Sequence, residues 1–276
     1  MGFFNTIKNI LNEKIKIIDI VNIIGSISYN NTSINISSNG FNLKNTIDIL
    51  QKIIDDEKYN HIAVVFRINS PGGTPGSAEE VANMINKLRD KNILTIASIC
   101  DLGCSAAYLI ASQCDIIFAN KMSIVGSIGV LMPTPNVTKL SEKIGASIVY
   151  FKAGKMKDIG NMFREVTDEE KDYIEYVLNN SHKEFINMVK AKRNIINEDM
   201  FDGRFLDAIT AKENNLIDYF GGFTDVIEFI LKRFNIEKGD IKIKEYEKKQ
   251  SFIKRVLSGD LFTIPISLKI ADMKIY

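Results

Sequence analysis

The sequence has few of the residues that build metal sites and disulfide scaffolds. Its 276 residues include two histidines, three cysteines and no tryptophan. His61 and His182 have no cysteine or second histidine near them in the chain, so the spacing of a structural zinc site is missing. The odd cysteine count (Cys100, Cys104 and Cys114), in apolar surroundings, predicts reduced thiols packed as small hydrophobic groups. We therefore expect no bound metal and no cofactor.

An excess of charge of one sign and long hydrophobic runs are also missing. Lysine plus arginine number 35 and aspartate plus glutamate 34, and this net charge of +1 excludes nucleic-acid binding by bulk basicity. The longest uncharged stretch, 20–43, is broken by asparagines and serines, so it lacks the ~20 mostly apolar residues of a membrane span. Residues 1–14 form an amphipathic segment, which predicts a helix docked on protein or lying at a membrane surface. Since no secretory signal is visible, we expect a protein of the cytoplasm or of the membrane periphery.

Apolar periodicity alternates between strand and helix along most of the chain. This alternation predicts an α/β domain with a mostly parallel sheet. Ser77 is predicted to cap one helix, with Glu80 completing a capping box. The predicted strands are 14–28, 61–69, 93–100, 115–119 and 147–152. The predicted helices are 43–59, 77–91, 105–113, 137–144, 168–193, 206–214 and 224–234.

Three glycine-containing turns follow predicted strands, at 70–73, 101–105 and 126–129. Loops beyond the carboxyl ends of parallel strands are where α/β proteins hold ligands. None of the three turns has the spacing of a dinucleotide or phosphate loop, which leaves nucleotide binding without support. Ser105 precedes a helix, so we expect its hydroxyl to face the loop and its N–H to lie free at the helix N-terminus. One residue could then supply a nucleophile and an oxyanion donor, although a serine before a helix is more often a plain helix cap.

A nucleophilic serine needs a base, and neither histidine is well placed to be one. His61 opens a strand far from the glycine turns, and His182 lies halfway along the longest predicted helix, so we expect structural roles for both. A lysine serves as a base only where burial or neighbouring charge lowers its pKa from about 10.4 toward neutrality. Lys152, Lys155 and Lys157 cluster after a predicted strand, and spacing alone does not choose among them.

Five segments stand in order along the chain: RINSPGG (67–73), DLGCSAAYLIASQCDIIFA (101–119), VGSIGVLM (125–132), FKAGKMKDI (151–159) and DGRFLDAITAKENNLIDYFGG (202–222). Together they resemble the signal peptide peptidase A family with its SohB-like members, over roughly residues 15–235. The resemblance implies a ClpP/crotonase-like α/β fold with repeated β-β-α units and a C-terminal helical extension. It leaves the role of a tail at 236–276 open. It also implies a serine peptidase that cleaves unfolded or membrane-derived peptides by a Ser–Lys dyad.

Carried over position by position, the resemblance makes Ser105 the nucleophile and Lys157 the general base. Ser127 would orient that lysine through a hydrogen bond. The oxyanion would lie between the Ser105 N–H and an N–H of the turn containing Gly72 and Gly73, with Gly73 favoured by spacing. In single-domain relatives the serine and the lysine meet across a subunit interface. We therefore expect a homo-oligomeric ring or dome that binds peptide substrates at shared sites.

The residues beside the nucleophile depart from the family's pattern. Ala106 and Ala107 replace the usual pair of glycines, and because alanine favours helix we expect activity to survive. Cys104 stands where the family has a small residue, and we expect a packed thiol rather than a second nucleophile.

Two rival functions remain open on the same fold. A crotonase-type acyl-CoA enzyme would need a carboxylate acid or base near the oxyanion turns. A catalytically inactive oligomeric scaffold would need no active residues at all. A peptidase, by contrast, would bind an extended peptide as an added strand, and we expect small or apolar residues beside the cut.

Overall fold

A computed structural model of the chain describes residues 14–29 and 41–246. The amphipathic segment predicted at 1–14 lies outside the described residues apart from Lys14, and so does the tail beyond residue 246. The strands are β1 (Lys16–Ile24), β2 (Asn60–Ser70), β3 (Leu94–Cys104), β4 (Ile116–Ala119), β5 (Ile124–Gly126), β6 (Phe205–Asp207), β7 (Tyr219–Phe220) and β8 (Ile241–Tyr246). The helices are α1 (Leu43–Asp55), α2 (Pro75–Asp90), α3 (Ala106–Gln113), α4 (Thr138–Ile144), α5 (Asp168–Lys190), α6 (Ala208–Glu213) and α7 (Phe223–Phe234), with a 3₁₀ turn at Glu198–Phe201. Within these ranges no helix has the length and apolar character needed to cross a membrane.

The described strands join in one mostly parallel sheet. Its order is β6-β5-β3-β2-β1-β8, and β4 pairs with β3 and β7 off this path. The β5–β6 pair is antiparallel. At β3 the sheet divides, because Ile96–Ile99 pair with β4 whereas Leu102–Cys104 pair with β5. This mixed α/β architecture confirms the predicted fold class, an α/β fold of ClpP/crotonase-like type.

Strand β2 is buried on both faces, as its β-branched sequence predicts. Val64, Phe66 and Ile68 pack into the core shared with α1, α2 and α3. Ala63 and Val65 pack on the opposite face, in the core shared with α7. Burying a large aliphatic or aromatic side chain stabilises a fold by about 1.5–3 kcal/mol. The two cores therefore fix the carboxyl ends of β2 and β3, where the glycine turns begin.

Two predicted elements differ from the structure. Residues 147–152, predicted as a strand, are irregular and exposed, because no described strand lies beside them to accept and donate backbone hydrogen bonds. The helix predicted over 206–214 begins instead as β6 and becomes helical at Ala208. Asp207 caps it, since its carboxylate accepts from the Thr210 N–H at 2.9 Å.

The start of α2 also differs from the prediction. Pro75 occupies the first turn, where its fixed φ suits a helix and its missing N–H costs nothing. Thr74 is therefore the N-cap residue, and Ser77 lies inside the helix with its hydroxyl accepting from the Thr74 hydroxyl at 2.9 Å. The predicted capping box between Ser77 and Glu80 is wrong.

Strand β8 extends the sheet beyond β1, within the segment whose role the sequence leaves open. Asp19 of β1 is fully buried, and its carboxylate bonds His61 Nδ1 at 2.5 Å and the Tyr246 hydroxyl at 3.0 Å. Burial raises the pKa of Asp19, while the hydrogen bond with His61 opposes the rise. His61 Nε2 lies 3.3 Å from Asp56. His61 therefore holds strands together, at the opposite end of β2 from the glycine turn.

Candidate active site

Ser105 lies in a strained turn between β3 and α3. It is the single residue between the strand, which ends at Cys104, and the helix, which starts at Ala106. Its φ of 53° and ψ of −125° lie in a region that L-residues rarely adopt, at a cost on the order of 1–3 kcal/mol. The Ser105 N–H donates to the Gly126 carbonyl at 2.8 Å, and the Ser105 carbonyl accepts from the Leu109 N–H at 2.9 Å. Strained backbone conformations that are held by hydrogen bonds in this way cluster at functional sites, which makes Ser105 a candidate functional residue.

The Ser105 N–H is not free, contrary to the expectation from the sequence. The β3–β5 ladder runs through Cys104, and the Ser105 N–H makes the next hydrogen bond with Gly126. The following N–H belongs to Ala106, at the first helical position, where no intrahelical acceptor exists. That rule for helix N-termini could have identified Ala106 from the sequence. On this side of the turn the N–H left without a backbone acceptor is therefore that of Ala106 rather than that of Ser105.

The turn after β2 approaches the same point. A Cβ at Gly72 would lie 2.7 Å from the Ser105 Cβ and 3.1 Å from the Ala106 nitrogen. Glycine is thus required for the two turns to come this close. The Gly72 N–H donates to the Ser70 hydroxyl at 3.1 Å, so it is already engaged.

Gly73 is held in a short parallel bridge with Ile27. The Ile27 N–H donates to the Gly72 carbonyl, and the Thr74 N–H donates to the Ile27 carbonyl, both at 2.8 Å. The Gly73 N–H takes part in neither bond. Of the two glycines, Gly72 thus has its N–H engaged, whereas the Gly73 N–H is in none of these hydrogen bonds.

Ser127 lies on the loop that holds Ser105 in place. Its φ is 51°, its N–H donates to the Arg204 carbonyl at 2.8 Å, and its carbonyl accepts from the Gly129 N–H at 2.9 Å. The preceding carbonyl, that of Gly126, is the acceptor for Ser105. The structure thus connects Ser105 and the Ser127 loop through backbone hydrogen bonds.

The second histidine and the cysteines have structural surroundings. His182 Nε2 lies 3.0 Å from the Ile128 carbonyl and so ties α5 to the Ser127 loop. Cys104 and Cys114 are buried, and burial raises the pKa of both thiols. Because a thiol with a raised pKa forms little thiolate, Cys104 is a poor nucleophile beside Ser105.

Two of the three candidate lysines are engaged in ion pairs. Lys152 pairs with Asp158, and Lys155 pairs with Glu169. Lys157 is exposed, and in the part of the chain that the structure describes its amine has no ion pair or hydrogen bond. A carboxylate partner stabilises the charged form of a lysine, which opposes its use as a base. Lys157 is therefore the one of the three whose amine is not held by a carboxylate among the described residues.

Arg164 fixes the segment that carries Lys157. Its guanidinium bonds Asp158 at 3.0 Å and Glu170 at 2.8 Å. Glu170 also completes the capping box of α5. These hydrogen bonds hold the pKa of Glu170 at about 2, and those from Arg164 and Lys152 keep the pKa of Asp158 well below its ordinary value. The Lys157 backbone is thus tied to the start of α5 while its amine faces solvent.

A cleft with a volume of about 180 Å³ opens beside Ser105. Its walls come from α2, α3, α5 and the loop after Ser127, and include Leu109, Val130 and Phe185. Lys157 is not among the residues that line it. Ser105 and Ala106 both line this cleft.

The segment between the Ser127 loop and Lys157 exposes several large apolar side chains. Leu131 is 82% exposed, Val149 is 76% exposed and Phe151 is 98% exposed. Exposed apolar residues are ordinary when they are scattered singly, and it is a contiguous patch that marks an interaction surface. Among residues 14–29 and 41–246, no group of three or more histidine, cysteine or acidic side chains could hold a metal ion.

Comparison with known proteins identifies one matching family and several relatives. Residues 87–237 match the family described as Peptidase family S49. The chain is 31% identical over 212 residues to "Putative protease slr0021" of Synechocystis sp., covering 76% of each chain. It is 32% identical over 198 residues to "Putative protease MJ0651" of Methanocaldococcus jannaschii, covering 71% of this chain and 63% of that one. It is 29% identical over 210 residues to "Putative signal peptide peptidase SppA" of Enterococcus faecium, covering 75% and 60%.

Proposed function

Because the chain belongs to peptidase family S49, we propose that it is a serine endopeptidase with Ser105 as nucleophile and Lys157 as general base. Its substrates are unfolded or membrane-derived peptides, bound in extended form. Ser127 orients the lysine, and the Ala106 and Gly73 N–H groups bind the oxyanion. No metal or cofactor takes part in the reaction.

The observation that carries this proposal is the turn at Ser105. In this turn a strained serine lies beside the N–H of Ala106 at the start of α3. A second N–H, that of Gly73, belongs to the turn after β2, which comes this close to Ser105 only because residue 72 is glycine. Donors fixed beside a nucleophile stabilise the charge that develops on the substrate oxygen. The strain at Ser105 therefore serves to hold its hydroxyl at this point.

The reaction follows from these positions in two stages. Ser105 Oγ attacks the peptide carbonyl carbon while its proton passes to the neutral Lys157 Nζ, and the oxyanion is held by the two N–H groups. The C–N bond then breaks, and the departing nitrogen takes the proton from Lys157. Water attacks the acyl carbon while Lys157 accepts its proton, and the C–Oγ bond then breaks as Lys157 returns that proton to Ser105 Oγ, which releases the acid and restores both residues.

A second copy of the chain supplies the lysine in this proposal. Two observations support it: Lys157 is absent from the cleft of its own chain, and the segment before it exposes Leu131, Val149 and Phe151. Burying such a surface against a neighbour would bring its exposed amine to another subunit's serine. A repeated head-to-tail contact forms a ring where the rotation between neighbours closes, and the active form in this proposal is such a closed homo-oligomer.

Labelling with a fluorophosphonate probe tests the proposal directly. We expect the probe to modify Ser105 in the wild-type protein and nothing in Ser105→Ala, while Cys104→Ala keeps its label. Peptide hydrolysis should be lost in Lys157→Ala and kept in Lys155→Ala, the matched control from the same segment.

Absence of labelling in a folded wild-type oligomer would overturn the peptidase proposal. An acyl-CoA enzyme would instead use a carboxylate beside the oxyanion donors, and Glu79 of the cleft is the residue for that role. Such an enzyme would bind acyl-CoA and stay unlabelled. An inactive scaffold would do neither.

A further inference from the structure

The cleft beside Ser105 has apolar walls and carries two carboxylates. Pro75 and Glu79 line it from successive turns of α2, and Glu184 and Met188 line it from successive turns of α5. The residues that line the cleft include no lysine, arginine or histidine.

Neither carboxylate is neutralised within the part of the chain that the structure describes. Glu79 and Glu184 belong to none of its ion pairs, and Glu184 only accepts from the Asn187 amide at 3.3 Å. Both glutamates are exposed, which places their charges where the cleft meets solvent. The cleft is therefore apolar inside and negatively charged, with no counter-charge of its own.

We propose that this cleft binds the substrate side chain on the amino side of the cleaved bond, and that it selects lysine or arginine there. The inference rests on the proposed function, since Ser105 attacks the carbonyl of the residue whose side chain would enter the cleft. The long methylene stem of such a residue packs against Leu109 and Phe185, and its charged end reaches Glu79 and Glu184. Lysine and arginine commonly bury their stems in this way while the charge stays near water.

This selection differs from the small or apolar residues expected from the sequence. The walls alone would suit an uncharged chain such as norleucine, which has the stem of lysine without its charge. A single exposed ion pair contributes little to binding. With two carboxylates, we expect lysine to bind in the cleft more tightly than norleucine by a factor on the order of ten at low salt. Glutamate at the same position is disfavoured, because like charges repel.

Three peptides that differ only at this position, with lysine, norleucine or glutamate, test the proposal. We expect kcat/KM to be on the order of tenfold higher for lysine than for norleucine, lowest for glutamate, and the lysine preference to shrink as salt is added. In the double variant Glu79→Gln, Glu184→Gln the ratio of lysine to norleucine should fall toward one. The matched control Glu80→Gln, Glu175→Gln makes the same charge change on the same two helices outside the cleft, and should keep the ratio.

Binding measured without catalysis separates this inference from the proposed function. The Ser105→Ala protein, titrated with the same labelled peptides, should bind the lysine peptide about tenfold more tightly than the norleucine peptide. Equal binding, or hydrolysis with equal kcat/KM for both peptides, would overturn the cleft assignment and leave the peptidase intact. Tighter binding of the lysine peptide, with no hydrolysis of it by the wild type, would overturn the peptidase proposal and leave the cleft assignment intact. If the double variant does not fold, Glu79→Gln and Glu184→Gln made singly should each lose part of the preference.

Discussion

A methyl group added at Gly73 tests the oxyanion assignment more sharply than removal of a side chain. In Gly73→Ala the new Cβ would lie 2.0 Å from the Ile27 carbonyl oxygen and 2.6 Å from its nitrogen, against the 3.5–4.0 Å of ordinary carbon contacts. Since the obstacle is backbone, the turn must move by about 1 Å or more and take the Gly73 N–H with it. Misplacing one oxyanion donor costs about 10²–10³ in kcat. Loss of the bridge with Ile27 should also lower the free energy of unfolding by about 1–3 kcal/mol.

Gly76→Ala is the matched control, three residues further on. A Cβ there meets nothing within 4 Å, and the residue lies in α2, where alanine is favoured over glycine by about 0.5–1 kcal/mol. Thermal unfolding followed by circular dichroism, together with kcat on a fluorogenic peptide, measures both effects. If Gly73→Ala folds and keeps kcat within about threefold of the wild type, its N–H is not an oxyanion donor.

Three further results are expected. Inactive Ser105→Ala and inactive Lys157→Ala subunits, mixed in equal amounts and allowed to exchange, should recover about a quarter of wild-type activity. The reason is that one in four neighbouring pairs joins an intact serine to an intact lysine. No recovery would contradict a shared site. Ser105→Gly should melt at a higher temperature than Ser105→Ala, because glycine adopts the φ of 53° without strain. Arg164→Met should unfold at higher pH during acid titration, because Arg164 lowers the pKa of Glu170 to about 2. A carboxylate with a lowered pKa stabilises the fold above its ordinary pKa, and that stabilisation is lost as the pH falls through the lowered value. An unchanged acid midpoint by circular dichroism would rule out that contribution.

Much of the fold follows from residue patterns that act locally. The β-branched run of β2 and the turn that follows it are visible in the sequence, and so is the amphipathic face of α2. The wrong strand at 147–152 shows the limit of such patterns. A β-branched run forms a strand only where another strand pairs with it, and pairing is a property of the whole fold.

Some features of the candidate site could likewise be predicted from the sequence, whereas others depend on the fold. Ser105 could be identified from its place before a helix, and the choice of Lys157 over its neighbours needed the resemblance. The use of the Ser105 N–H by Gly126 could not be predicted, because it depends on β5 continuing the ladder past the end of β3. Glu79 and Glu184 lie on helices far apart in the sequence, and only their packing makes them walls of one cleft.

The pairing of β1 with β8 has a consequence for how the protein is made. Asp19 and Tyr246 are 227 positions apart, so β1 is synthesised long before the strand that covers its outer edge. Contacts between distant parts of a chain form late and slowly. Until β8 emerges, β1 presents an unpaired edge and a buried carboxylate that still lacks its tyrosine partner. Nascent chains that stall in this interval carry an open strand edge able to pair with one another, so the hazard of aggregation is greatest just before synthesis of the sheet is complete.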